Sequence, residues 1–486
     1  MMRKTHLARC ISLVMAGYAV APLANAQSEA DALMLIRVTE GQSAEAARLS
    51  AAAIQTEPVQ RLSSDAGVSL SRMGGRGLDP VIRGQNEERV EVLLDGMRVE
   101  GACPSRMDPP TSRLSTALAP VLEVRTSNRT LRWGPIAGGQ VVATTAAPEF
   151  ADDNRTTGHL TVGGADNGEG KLVNGSVAVG DKETFIRLAG GYDEADDYED
   201  GDGNEVRSAY KNSEGRVDAA WTADNGFYIK GLVSRQEERD VKFPGRGMDA
   251  PKTDTDLYRL ELGAPVASGG WNLMAWQADV DHVMDNFSLR EPPVNMGMPM
   301  KMQTNSETRT RGARLVLDQT INYTKDIAFG VDVESNEWDA TMYNGMNLDH
   351  EASLMWPGVE RDRVGVFVEA FHQIRANARL GAGIRYDRVE MDATRADQTF
   401  TPMAGGMMTF SPSGLYASAY GASDTEANDD NVSGFLTGEW RVSPVQALEV
   451  TASHSVRSPS VNERYVARKT MKGSWIGNPD LDTEKH

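Results

Sequence analysis

Cys103 stands four residues before Met107 in GACPSRMDPPTSRLS, residues 101–115, among Pro104, Pro109 and Pro110. Prolines so placed argue against an α-helix and predict that a thiol and a thioether are carried on a stiff loop. Both sulfurs are soft, polarizable donors, able to hold a soft metal ion. On the residues alone the thiol has other readings: an intermolecular disulfide partner, or a buried and inert side chain. A second cluster, DEADDYEDGDGNE at 193–205, lacks the ligand ladder and closing Glu of a calcium loop and reads as a solvated acidic loop. The chain contains no Gly-Lys-Ser/Thr phosphate loop, no His-Glu-x-x-His, no Cys-x-x-Cys and no Gly-x-Ser-x-Gly elbow, so an enzyme is not expected.

The elements that must position the loop follow an export signal. Arg3, Lys4 and Arg9 precede an apolar run from Ile11 to Leu23 and the small-residue stretch Ala24-Asn25-Ala26, the layout of a secretory signal peptide cleaved after Ala26. Cys10 leaves with it, so one thiol is expected in the exported chain and no internal disulfide. Removing three of 50 basic residues leaves 47 against 69 acidic ones, a net charge of −22. Nucleic acid is therefore not an expected partner. No later apolar run approaches the roughly 18 residues of a membrane-spanning helix, but that leaves a membrane β-barrel open.

From about residue 155 the pattern is short alternating runs broken by Gly, Asn and Asp. In RLGAGIRYD, Arg379, Gly381, Gly383, Arg385 and Asp387 share one face while Leu380, Ala382, Ile384 and Tyr386 share the other. WTADNGFYIKGLVSRQ and LEVTASHSVRS repeat the pattern. A large antiparallel barrel and a soluble sandwich would both show it, and an aromatic share of only 6% argues mildly against aromatic girdles. Residues 27–150 are mixed, glycine-rich and helical by propensity at Ala44–Ala53, with a strand at Val90–Leu94, and read as a separate α+β domain.

VSLSRMGGRGLDPVIRGQNEERVEVLLDGMRVEG, residues 68–101, carries Ile82-Arg83-Gly84 and then Val92-Leu93-Leu94-Asp95-Gly96. It resembles the plug domain of TonB-dependent outer-membrane receptors. LRWGPIAGGQVV at 131–142 is similar to the segment that closes that plug, and RSPSVNERY with GNPDLDTEKH, residues 457–465 and 477–486, looks like a signature of the same receptors' barrel. The resemblance implies a signal peptide at 1–26, a plug at 27–150 and the N-terminal part of a transmembrane antiparallel β-barrel at 151–486. It also implies a Gram-negative outer-membrane location and a TonB-type energising complex in the periplasm.

MGGRGLDPVIRGQ and GACPSRMDPPTS resemble the copper-receptor branch, which is understood to bind its metal through a plug Cys-x-x-x-Met and a barrel His-x-Met. Cys103 and Met107 match the first pair; His282 and Met284, in DVDHVMDNFSLR, match the second. Copper import is the function implied. The donor chemistry points the same way: thiolate and thioether favour Cu(I), imidazole accepts Cu(I) or Cu(II), and zinc has little use for Met. Met296, Met298, Met300 and Met302 recur at every second position of PPVNMGMPMKMQ, where the prolines and glycine predict an exposed loop. Exposed thioethers there would capture Cu(I), with Met342, Met346 and nearby His350 extending the surface, whereas Met403, Met407 and Met408 read as packing or chance.

Family barrels close with about 22 strands, and residues 151–486 have room for about fourteen at 9–11 membrane residues each. The chain is therefore expected to be an incomplete receptor. The sole candidate for the segment gripped by the energising partner is LMLIRV, 33–38, which would add a strand to that partner and reads equally as an ordinary strand of the plug. Alternative readings are a receptor for an iron-siderophore or haem, with Cys103 incidental, and a metal-binding surface protein that transports nothing.

Overall fold

The alternation turns out to be inside-out. In the computed structural model Leu380 and Ile384 are 53% and 55% exposed, while Arg385 and Asp387, on the opposite face of the same strand, are 1% and 3% exposed. Val432, Leu436, Leu448 and Val450 likewise face outward, and Asn431 and Ser433 inward. Such a wall suits a solvent of lipid outside and a polar lumen inside. The structure describes residues 57–486 except 323, 423, 471 and 472; the expected signal peptide, coupling segment and Ala44–Ala53 helix lie outside the described residues.

Thirteen strands form this wall as one antiparallel sheet in which sequence neighbours pair. They run from Thr156–Gly164 to Gln446–His454. At one end the turns are short, as at 267–268, 376–377 and 444–445; at the other the connections are long, as at 286–301 and 394–426. Outer-membrane barrels show this asymmetry, with short periplasmic turns and longer outer loops. His350–Arg375 has 26 residues, well beyond the roughly 9–11 that cross a bilayer, so the wall extends past the membrane on the long-loop side.

The plug is built on four strands in the order Met97–Arg98, Val90–Leu94, Gly139–Thr144, Val121–Arg125, with Val90–Leu94 parallel to Gly139–Thr144. A hairpin, Val68–Arg72 with Leu78–Ile82, lies beside it. Val92, Leu94, Met97 and Val141 of the plug share one apolar cluster with Leu232, Leu257, Met274 and Trp276 of the wall. Ion pairs also cross the seam: Arg98 to Glu334 (3.3 Å), Arg216 to Asp95 (3.0 Å), Glu100 to Arg361 (3.2 Å) and Arg132 to Glu369 (2.9 Å). The plug therefore sits inside the sheet's curve, bonded to it by both kinds of contact.

The acidic run departs in part from expectation. Asp193 is buried at the end of a wall strand, paired with Arg76 of the plug at 2.9 Å, and Asp197 holds Lys242 at 2.6 Å. Asp200, Asp202 and Glu205 are exposed, as a solvated loop requires. The wall strand Thr184–Ala195 runs three residues into the acidic stretch, and the lumen parity of residue 193 drew its carboxylate to an arginine.

Candidate metal centre

The cysteine loop is drawn closed by its own backbone. A Cβ on Gly101 would lie 2.6 Å from the Asp108 carbonyl oxygen, so only glycine permits this approach. Asp108 then accepts two backbone N–H groups, from Cys103 to Oδ1 and from Ala102 to Oδ2, both at 2.8 Å. The Arg106 N–H donates to the Cys103 carbonyl at 2.8 Å, with Arg106 in the left-handed region at φ 52°. Its guanidinium is anchored on Asp79 and Glu88, and Asn462 donates to the Pro104 carbonyl at 2.9 Å. No α-helix forms; the prolines leave turns and one 3-10 segment, Pro110–Arg113, as expected.

The wall strand Gly269–Asp285 supplies the other side. Met274, Trp276, Ala278, Val280, His282 and Met284 all point inward and are buried, because residues two apart on a strand share a face. Cys103 Sγ lies 3.6 Å from Met284 Sδ. Cys103, Met107 and Met284 belong to one buried cluster with Tyr210, Val241 and Phe243. Two segments distant in sequence thus bring three sulfurs together at the seam between plug and wall.

His282 sits on the same inward face. Its Nδ1 is 2.7 Å from the hydroxyl of Thr253, its direct partner across the neighbouring strand. Nε2 is buried with no hydrogen-bond partner, and buried polar atoms are rarely left so. With Nδ1–H donating to Thr253, Nε2 carries a bare lone pair, the form in which histidine ligates metal. The charges acting on the ring are Asp108, Arg113 and Glu238, the set that frames the cysteine loop. Burial pushes the Cys103 thiol up to about 12, and the Asp108 carboxylate adds to the effect. Among the described residues no group of three or more His, Cys, Asp and Glu could hold a metal ion, so a metal bound at this seam would depend on the thioethers.

The other methionines divide. Asn295 pairs with Met298 across a tight turn in which Met296 and Gly297 both have positive φ, 49° and 79°, a type I′ hairpin. Met296, Met298 and Met300 are exposed there, as is Met346 in the connection 345–349. Met302 departs from the loop expectation: it opens the strand Met302–Ile321 and is half-buried. Met342 departs further, at 3% exposure, since its strand continues to Asn344 and its parity is that of the inward Asp332, Asn336 and Trp338. Met403, Met407 and Met408 are exposed rather than packed. Their loop lies over the 345–349 connection, where Asn344 donates to the Pro402 carbonyl at 2.9 Å and His350 contacts the Thr401 carbonyl at 2.7 Å.

Residues 42–141 match the model of the TonB-dependent receptor plug domain, and residues 190–485 that of the TonB-dependent receptor-like β-barrel. This chain belongs to the TonB-dependent receptors. Among solved structures the receptor is similar to copper transporter OprC, with 26% identity and a TM-score of 0.76 over 88% of this chain and 64% of that one. It shares its fold with the Serratia marcescens hemophore receptor HasR, at 16% identity and TM-score 0.64 over 89% and 66% of the two chains. The siderophore receptor PirA from Acinetobacter baumannii is similar to the same degree, at 16% and 0.63 over 90% and 66%. A comparison with curated protein sequences finds no match. The receptor chain spans 64% of the length of the copper transporter.

Proposed function

We propose that this receptor binds and imports copper across the outer membrane, taking it as Cu(I) between Cys103, Met107, His282 and Met284. The observation that carries the reading is the 3.6 Å approach of Cys103 Sγ to Met284 Sδ at the plug–wall seam. Around it the donor set is sulfur-rich, with one imidazole nitrogen left unpartnered, which suits Cu(I) far better than a hard ion. The similarity to a protein named a copper transporter adds weight. Copper is the cargo, captured by the exposed methionines of the outer loops and released inward when a TonB-type partner pulls on the plug. Export through a leader ending at Ala26, a plug at 27–150 and a partial barrel at 151–486 belong to the same proposal.

The test is metal content. Full-length receptor and its Cys103→Ala variant are loaded with Cu(I) and washed; the variant is expected to lose its copper. Equal copper in both would remove the site. Growth of a deletion strain under copper limitation and under iron limitation then separates copper import from siderophore or haem import.

A further inference from the structure

We propose that Asp108 is the positioning residue of the metal loop, and that through Arg113 and Glu238 it makes the placement of Cys103 and Met107 depend on how the plug is seated against the wall. This rests on the reading of Cys103 and Met107 as ligands. Both Asp108 carboxylate oxygens are spent on the loop, one on each of two successive N–H groups, at 2.8 Å. Oδ2 also accepts from Arg113 Nη2 at 2.7 Å. Arg113 Nη1 reaches across the seam to Glu238 Oε2 at 2.8 Å, and Glu238 Oε1 takes Arg76 Nε at 2.7 Å. Arg76 continues to Asp193 at 2.9 Å. All five side chains are buried.

Charge alternates along this chain, from the loop's own carboxylate to two carboxylates on wall strands. Buried charges of this kind hold only while each keeps its partner. A plug shift that parts Arg113 from Glu238 leaves Arg113 with Asp108 as its one remaining carboxylate partner. That competes with the two N–H groups that shape the loop. Cys103 then loses the frame that points its sulfur at Met284. Seating of the plug and affinity for the cargo become one variable: tight when docked, weak when displaced.

The experiment uses full-length receptor and Cu(I) alone. Affinity is read by competition with a chromophoric Cu(I) chelator, and the sulfur neighbours of bound copper by X-ray absorption. Asp108→Asn presents one acceptor and one donor to two N–H groups, so one stays unpaired. It is expected to bind about 10- to 100-fold more weakly and to lose a sulfur from the bound copper, with its melting temperature near wild type. Glu238→Gln leaves every bond within the loop and is expected to weaken binding in the same direction by less. Wild-type affinity and sulfur number in Asp108→Asn, while Cys103→Ala loses copper, would overturn the positioning role and leave the site standing. Copper retained by Cys103→Ala would instead overturn the reading beneath it. If Asp108→Asn fails to fold, Glu238→Gln decides: unchanged affinity and sulfur number refute the coupling.

Discussion

Cys103 and Met284 are 181 residues apart in sequence and touch in the fold, so neither carries the site alone. The raised thiol sets a pH dependence. Burial keeps the thiol protonated through the neutral range, so a Cu(I) ion bound through it as proposed would displace that proton, one for each ion. Apparent Cu(I) affinity is therefore expected to rise by about tenfold per pH unit through the neutral range, and a flat profile between pH 6 and 8 would exclude the thiolate as ligand. Thr253→Val keeps the shape of the side chain but removes the hydroxyl that meets Nδ1. Affinity should fall about 10- to 100-fold with melting unchanged, and calorimetric titration with Ag(I) would show it. The four proposed ligands came from the resemblance to the copper-receptor branch; residue type by itself left Cys103 open to other readings. Thr253 and Asp108 were not legible: Thr253 meets His282 through strand register, and Asp108 acts because Gly101 lets the loop close upon it.

At the scale of the strand, Gly269–Asp285 shows why parity cannot be read from residue type alone. Its inward face carries Met274, Trp276 and Ala278, apolar because the plug packs there, while its outward face changes from Leu273 and Ala275 to Gln277, Asp279 and Asp281. Neither face is uniform, since the strand leaves the membrane midway and its inner side meets protein rather than water. Strand Ala378–Ala393 had no such conflict, with Leu380 and Ile384 meeting lipid and Arg385 and Asp387 a polar lumen, and its pattern was plain. The loops follow local chemistry where turn residues dominate. The exposed loop around Met296 was legible from glycine and proline, though its hairpin was not, and Met342 was misassigned because nothing in sequence marks where its strand ends. Replacing Met296, Met298 and Met300 together by Leu should slow cellular copper uptake when copper is scarce. Affinity of the purified protein should stay unchanged; a matching loss of affinity would place those thioethers in the binding site itself.

At the scale of the whole receptor, the plug is fixed by apolar packing and by buried charges. Glu334 has a fully buried side chain and meets Arg98 of the plug as well as Arg361 and Arg363 of the wall, at 3.3–3.4 Å. Glu334→Ala leaves three guanidinium groups short of a partner and is expected to cost about 3–5 kcal/mol, read as a lower melting temperature and faster protease cleavage within 57–150. Unchanged values would mean that apolar contact alone holds the plug. The barrel class and the plug were legible from alternation and motif; the pairings at the seam were not, because each joins residues more than a hundred positions apart. Those pairings lie in a lumen sheltered from mobile ions, where screening acts weakly. The outer-face ladder of Arg309 with Asp279 and Glu337 will soften as ionic strength rises. The buried pairs that grip the plug will not, so the plug is expected to stay seated in fresh and in salty water alike.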